Sequence, residues 1–285
     1  MKEQDFINII KTEIGNEFIG DDCAYLKEFG IVISQDSLVE DVHFKLKWCT
    51  PFQLGYKAVT VNISDILASG AKPKYITVAL SLPKNTTNDF VEEFYKGAKS
   101  ALRGAKIVGG DITGSDKVYI SITAIGSDQN RKISSRSHAK VGYCVITKGK
   151  FGKSSAGLNE LLNNGDNQEL ISAHLMPELE EKFAREIATQ IDCDYAMMDT
   201  SDGLADALFQ IAEASNVSIN TKVVEGMYDA EDYKLVAAVP KDFLPKLSDY
   251  EIIGEVVERQ DYAIRVGNKI FKKYDELGLY NHFGE

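Results

Sequence analysis

Carboxylates recur directly after short apolar runs in this 285-residue chain. Ile31, Val32 and Ile33 lead into Ser34, Gln35 and Asp36, with Glu40, Asp41 and His43 close behind. Residues 58–61 (AVTV) lead to Asn62 and Asp65, residues 105–108 (AKIV) to Gly109, Gly110 and Asp111, and residues 195–198 (YAMM) to Asp199, Ser201 and Asp202. Near the start, Phe18 and Ile19 precede Asp21 and Asp22. A buried β-branched run that stops in an acid delivers that acid to the rim of a sheet, where ligands bind. Carboxylates gathered there suit a hard, oxygen-seeking cation, and Mg²⁺ fits best, because it binds through a few carboxylates plus substrate phosphates. Each aspartate alone reads better as a turn or cap residue; the repetition after apolar runs favours the metal. No D-x-D-x-D-G calcium loop is present, and the four scattered histidines disfavour zinc.

Phosphate has a candidate seat beside Asp111. Gly109 and Gly110 allow close backbone approach, and their N–H groups can donate to an anion. The sequence Gly152-Lys153-Ser154 resembles the end of a P-loop, but the first glycine of that pattern falls on Thr147, so the pattern fails.

The elements that must position these groups follow from periodicity. Residues 2–14 predict an amphipathic helix through Phe6, Ile9, Ile10 and Ile14. Two strands are expected around a turn at residues 27–29. Thr50 and Pro51 open a segment with Leu54, Ala58, Val61, Ile66 and Leu67 at helical spacing, although its β-branched residues also suit a strand. Residues 75–82 (YITVALSL) and 118–125 (VYISITAI) are strands, with a helix capped by Thr87 between them. Polar residues 127–137 mark a boundary, giving halves at 1–131 and 132–285. The second half alternates strands near 143–147, 195–198, 235–239 and 252–257 with helices beginning near 155, 179 and 203.

Composition narrows the function classes. The net charge of −11 argues against a nucleic-acid backbone as the main partner and fits acids neutralised by cations. No apolar run reaches the length of a membrane span, and the first residues lack the apolar core of a signal peptide. Four widely spaced cysteines read as reduced thiols, which predicts a cytoplasmic protein.

The ordered series of GDDCA at 20–24, SQDSLVEDVHF at 34–44, AVTVNISDILASGAKP at 58–73, VGGDIT at 108–113, DTSDGL at 199–204, EDY at 231–233 and YNHF at 280–283 resembles the thiamine-monophosphate kinases. Their relatives are aminoimidazole ribonucleotide synthetase, selenophosphate synthetase and a hydrogenase maturation factor. The resemblance runs almost end to end. It implies an α+β fold of two domains, in which N-terminal strands pair with a second subunit into a shared β-barrel and an α/β C-terminal domain completes the site. It implies a homodimer that transfers a phosphoryl group from ATP to thiamine phosphate, using several Mg²⁺ ions. Carried over by motif, Asp22, Ser34, Gln35, Asp36, Asp65, Asp111, Asp199 and Asp202 would hold metal, with Asp36, Asp111 and Asp202 at the reacting centre. Gly110, Arg136, Ser201 and Tyr95 would contact ATP; His43, Glu231 and Tyr280 would contact the thiamine moiety. On the residues alone, His43 beside Phe44 reads as a packed histidine, Tyr95 as core and Arg136 as a linker residue. Gln35 stands where the family usually has Thr, and Asp229-Ala230 replace the usual pair of glycines before Glu231. The alternatives are a sister enzyme with another acceptor and a non-catalytic nucleotide- or Mg²⁺-binding protein. A selenophosphate synthetase would want a reactive cysteine or selenocysteine and a lysine in a glycine-rich N-terminal loop, and the hydrogenase factor a C-terminal cysteine; neither is seen here.

Overall fold

A computed structural model describes residues 3–14 and 18–279. Tyr280 therefore lies outside the described residues. The fold is mixed α+β and built on two sheets. The first comprises β1 (Ala24–Leu26), β2 (Ile31–Val39), β3 (Lys72–Leu82), β4 (Lys106–Gly114) and β5 (Tyr119–Ser127), in spatial order β1-β2-β5-β3-β4. The second comprises β6 (Cys144–Thr147), β7 (Ala196–Asp199), β8 (Ser218–Thr221), β9 (Leu235–Val239), β10 (Glu251–Val257), β11 (Ile264–Val266) and β12 (Lys269–Phe271), in order β12-β11-β8-β10-β6-β9-β7. The helices are α1 (Glu3–Ile14), α2 (Pro51–Ala68), α3 (Asn88–Ser100), α4 (Lys153–Leu162), α5 (Gln168–Leu175), α6 (Glu181–Gln190) and α7 (Leu204–Ala214).

Helix α2 is the hinge of the architecture. Thr50 and Gln53 form a reciprocal capping box at its start, and Pro51 occupies its first turn. Residues 58–61 are helical rather than extended. The β-branched Val59, Thr60 and Val61 are tolerated because α2 is apolar on nearly all sides and buried, so packing overrides propensity. One side of α2 lies on the first sheet; α3, β7 and α6 pack on others. Gly97 lets α3 approach so closely that a Cβ there would stand 1.8 Å from the Phe52 carbonyl oxygen. One apolar core runs through this region, joining Val32, Ile63 and Ile122 to Phe183, Met197 and Leu235. A second core lies between the other face of the second sheet and α7.

The image of strands that stop at an acid needs correction. Only β7 does so, ending on Asp199. Strand β2 passes through Ser34, Gln35 and Asp36 to Val39, because its full length is paired with β5. Gly109, Gly110 and Asp111 likewise lie inside β4, paired with β3. Ile19 makes only an isolated bridge to Asp21. Strand pairing, not an end of hydrophobicity, sets these limits, and the side-chain period of two then decides which acids share a face.

Candidate active site

The first sheet has a face on α2 and an open face. Val32, Ser34 and Leu38 are buried on the α2 side, and Asp36 lies in the same row. Asn62, 1% exposed on α2, fixes this row: its side-chain oxygen accepts from Asp36 N at 3.1 Å, and its backbone oxygen accepts from Ser34 Oγ at 3.4 Å. Asp65 is one turn further along α2. Ser64 points the other way and donates to Asp199 Oδ2 at 2.5 Å. Helix α2 thus presents one carboxylate and orients another on β7. Asp22 completes the group: oxygens of Asp22, Asp65 and Asp199 all lie within 4.8 Å of one another.

Electrostatics identify the rest of the cluster. Burial, then Asp36, Asp199 and Asp22, push the Asp65 carboxyl well above the usual range. Burial and Asp22 push Asp199 up to about 8, despite the Ser64 hydrogen bond. Burial, Asp22 and Asp202 raise Asp36. Asp22 is also raised by burial, although Arg136 opposes this through an ion pair of 2.6 Å. Asp202 itself is exposed at the start of α7. Several acids that raise one another's pKa at this spacing form a site built for compensating positive charge. Cys23 beside them is a packing residue: burial and the acids push its thiol up, and its Sγ donates to the Asp65 carbonyl at 3.3 Å.

Arg136 sits in a short turn between the sheets and is mostly buried. It pairs with Asp22 and donates to Gln210 on α7, while its backbone N–H donates to Asp21 at 2.6 Å. Its Nε is buried without a hydrogen-bond partner. Asp206, next along α7, is raised to about 6 by burial and by Asp202.

The residues expected at the thiamine moiety, Glu231 and His43, lie in a second group that includes Lys57 of α2. Glu231 has a backbone φ of 63° and donates its N–H to the Ser201 carbonyl at 2.6 Å. Its carboxylate meets Lys57 of α2 at 3.2 Å and His174 Nδ1 at 3.5 Å. Burial would raise the Glu231 pKa, but Lys57, His174 and His43 outweigh it and hold the group below its usual value. The His43 Nδ1 accepts from Val39 N at 3.0 Å.

Two expected ligands are not brought in. The Gln35 side chain is on the open face, where it bonds Ser121 and Thr123, away from the row of Asp36. Asp111 is exposed and in register with Ala79, Ser121 and Ser37, the row opposite that of Gly110, Val78, Ile122 and Asp36. Three strand spacings, roughly 14 Å, and a change of face separate it from Asp36. Tyr95 is half-buried on α3, edge-on to Phe94 at 5.5 Å. Sequence reasoning missed Lys57, Ser64, His174 and Asp206. The one basic residue in a largely apolar helix, Lys57, was the visible signal among them.

Residues 20–127 match the family model described as AIR synthase related protein, N-terminal domain. The chain is 31% identical to a thiamine-monophosphate kinase of Aquifex aeolicus over 297 residues, covering 94% of this chain and 95% of that relative. It is 38% identical to a thiamine-monophosphate kinase of Bacillus subtilis over 222 residues, covering 73% and 67%. A solved structure described as "AaThiL complexed with AMPPCP and TMP" superposes with a TM-score of 0.88 at 29% identity, over 99% of this chain and 97% of that chain.

Proposed function

The chain belongs to the thiamine-monophosphate kinase family, and on that footing we propose that it moves the γ-phosphoryl group of ATP directly onto the phosphate of thiamine phosphate, giving thiamine diphosphate and ADP. The observation that carries the reading is the convergence of Asp22, Asp65 and Asp199 within 4.8 Å, with Asp36 raising the pKa of Asp65 and Asp199 and Asp202 raising that of Asp36.

The donor set fits Mg²⁺: it is all carboxylate oxygen, and like charges this close are stable only with protons or cations between them. Asp22, Asp36, Asp65, Asp199 and Asp202 would hold the ions, with Ser34 and the Gln35 backbone beside them. Bound there, divalent cations supply positive charge between two polyanions. The need is large: one pair of unit charges 4 Å apart repels by roughly 4 kcal/mol at an effective dielectric near 20. The acceptor is a phosphate monoester with a second pKa of about 6, so it is already largely deprotonated near neutrality. No general base is required, and the chain's task is to orient two anions in line and exclude water. Arg136, with its uncommitted Nε, and Ser201 are assigned to the nucleotide. His43 and Glu231 are assigned to the thiamine moiety; Tyr280 is assigned there by motif.

We further propose a homodimer formed through the open face of the first sheet. Strand β4 is an exposed edge of that sheet, and Ala79, Ser81 and Ser121 line the open face. A second copy there would form the shared barrel and carry Gly110, Asp111 and Tyr95 toward its partner's nucleotide. Residues 1–131 would be the pairing half and 132–285 the completing half. An ATP-dependent kinase with unpaired thiols fits the cytoplasm, and among the described residues no helix is long and apolar enough to cross a membrane.

Incubating pure protein with ATP, Mg²⁺ and thiamine phosphate tests the activity. Thiamine diphosphate and ADP in equal amounts are expected; ATP binding with no product would leave a nucleotide-binding protein instead.

A further inference from the structure

Lys57 is the one basic side chain of α2, and it is only 3% exposed. An ammonium withdrawn from water is stable only if paired and hydrogen-bonded. Its partner is Glu231, 174 residues away in the chain, and the pairing is two-pronged: Nζ lies 3.2 Å from one carboxylate oxygen and 3.3 Å from the other.

Glu231 is held at its other end too. Its N–H is tied to Ser201 within the DTSDGL segment. The next residue, Asp232, accepts from Gly152 N at 2.5 Å and Ser154 N at 3.0 Å, at the start of α4. Ser154 in turn bonds His174 Nδ1 at 3.0 Å, and that ring faces the Glu231 carboxylate. The backbone of Glu231 is thus set by the second half, whereas the direction of its carboxylate is set by a lysine of the first. Glu231 remains 25% exposed while Lys57 does not, so an incoming ligand meets the carboxylate and not the ammonium.

We propose that Lys57 is a positioning residue for the acceptor: it aims the Glu231 carboxylate across the junction of the two halves at the N–H donors of the acceptor's aminopyrimidine ring. The ion pair also offsets the charge of the carboxylate, which keeps its acceptor oxygens for a polar ring. Because Lys57 and Asp65 share one rigid helix, eight residues or roughly 12 Å apart along its axis, α2 sets the separation between the ring-binding carboxylate and the phosphate-side acids. That span suits a molecule with an aromatic head and a phosphate tail. The inference rests on the assignment of Glu231 to the acceptor.

Steady-state kinetics at saturating Mg²⁺, varying each substrate, separates the two ideas. Glu231→Gln tests the assignment itself: the KM for thiamine phosphate should rise at least tenfold with the KM for ATP within twofold, and an unchanged acceptor KM refutes that assignment. Lys57→Met should reproduce the same split, with kcat per folded enzyme little altered. A general packing defect would instead lower the folded fraction or shift both KM values together. The double variant Lys57→Met/Glu231→Gln removes both charges, so it leaves no lone buried ion and serves even if Lys57→Met alone does not fold. Its acceptor KM should match that of Glu231→Gln alone, since a residue acting only through another adds nothing once the other is gone. If Glu231→Gln raises the acceptor KM but Lys57→Met does not, or if the double variant is a further tenfold worse, Lys57 does not act through Glu231 and the proposal is overturned.

Discussion

Ser64 on α2 donates its hydroxyl to Asp199 at the end of β7, 2.5 Å away, so the helix of one sheet orients an acid of the other. Both residues are buried, at 0% and 2% exposure, which shields the bond from solvent. Ser64→Ala removes a contact that favours the ionised acid. Loss of such a supporting bond typically weakens metal affinity by about 10–100-fold. The Mg²⁺ concentration for half-maximal rate should rise accordingly, with the acceptor KM unchanged. An unaltered Mg²⁺ dependence would remove Asp199 from the cation site.

Cation binding should release protons. The folded Asp199 pKa of about 8 lies above its unfolded value, so the cation-free protein gains stability from this group at low pH and loses it as pH rises from about 4 through 8. A cation must displace that proton, so Mg²⁺ affinity should climb with pH up to about 8. Titration calorimetry in buffers of different ionisation enthalpy measures the released protons directly; none released near pH 7 would contradict the coupling.

Acid should attack the protein through His174. Burial and Lys57 lower its pKa from 6.5 to about 4, and the side chain is only 5% exposed. The unfolded state binds the extra proton, so stability is complete above about 6.5 and is lost as pH falls toward 4. The gap corresponds to roughly 3 kcal/mol at most. Asp199 acts with the opposite sign over part of this range, so the comparison is with His174→Asn: urea unfolding at pH 7 and pH 5 should show a smaller loss in the variant.

Asp36→Asn should inactivate without destabilising. Asp36 is raised by burial and by repulsion from Asp22 and Asp202, so removing its charge relieves strain in the cation-free protein. The melting temperature should hold or rise, while kcat falls about a hundredfold or more through lost cation-mediated charge stabilisation.

Asp111 should work in the partner's site. Its row faces away from Asp36 within one chain. Mixing and re-pairing the inactive Asp36→Asn and Asp111→Asn proteins should restore about a quarter of the wild-type rate, the statistical yield for two-fold pairing. No recovery with mixed dimers formed would place Asp111 elsewhere.

Transfer should invert configuration at phosphorus, because one in-line displacement separates ATP from product. A chirally labelled γ-phosphoryl group reports this; retention would require a covalent enzyme intermediate.

Much of the local structure was legible in the residues. Thr50, Pro51 and Thr87 marked helix starts through chemistry carried within a few positions, and YITVALSL could only be a strand. Helix α5 and the short strands β8, β11 and β12 were not foreseen, because three- or four-residue strands show almost no periodicity and are set by their neighbours. The acids were recognisable as a set by motif order. Which of them meet was not: Gln35 and Asp36 are adjacent in the chain and on opposite faces of the sheet.

By itself the sequence determined the kinds of groups available: hard oxygen donors, little soft-metal chemistry, an acidic surface, and a motif series of one kinase family. These depend only on residue type and order. The tertiary structure decided the partnerships, Ser64 with Asp199, Lys57 with Glu231, and Asp111 turned away from the rest. Those depend on strand register and on one helix packing between two sheets, and such contacts join residues too distant along the chain for any local pattern to encode them.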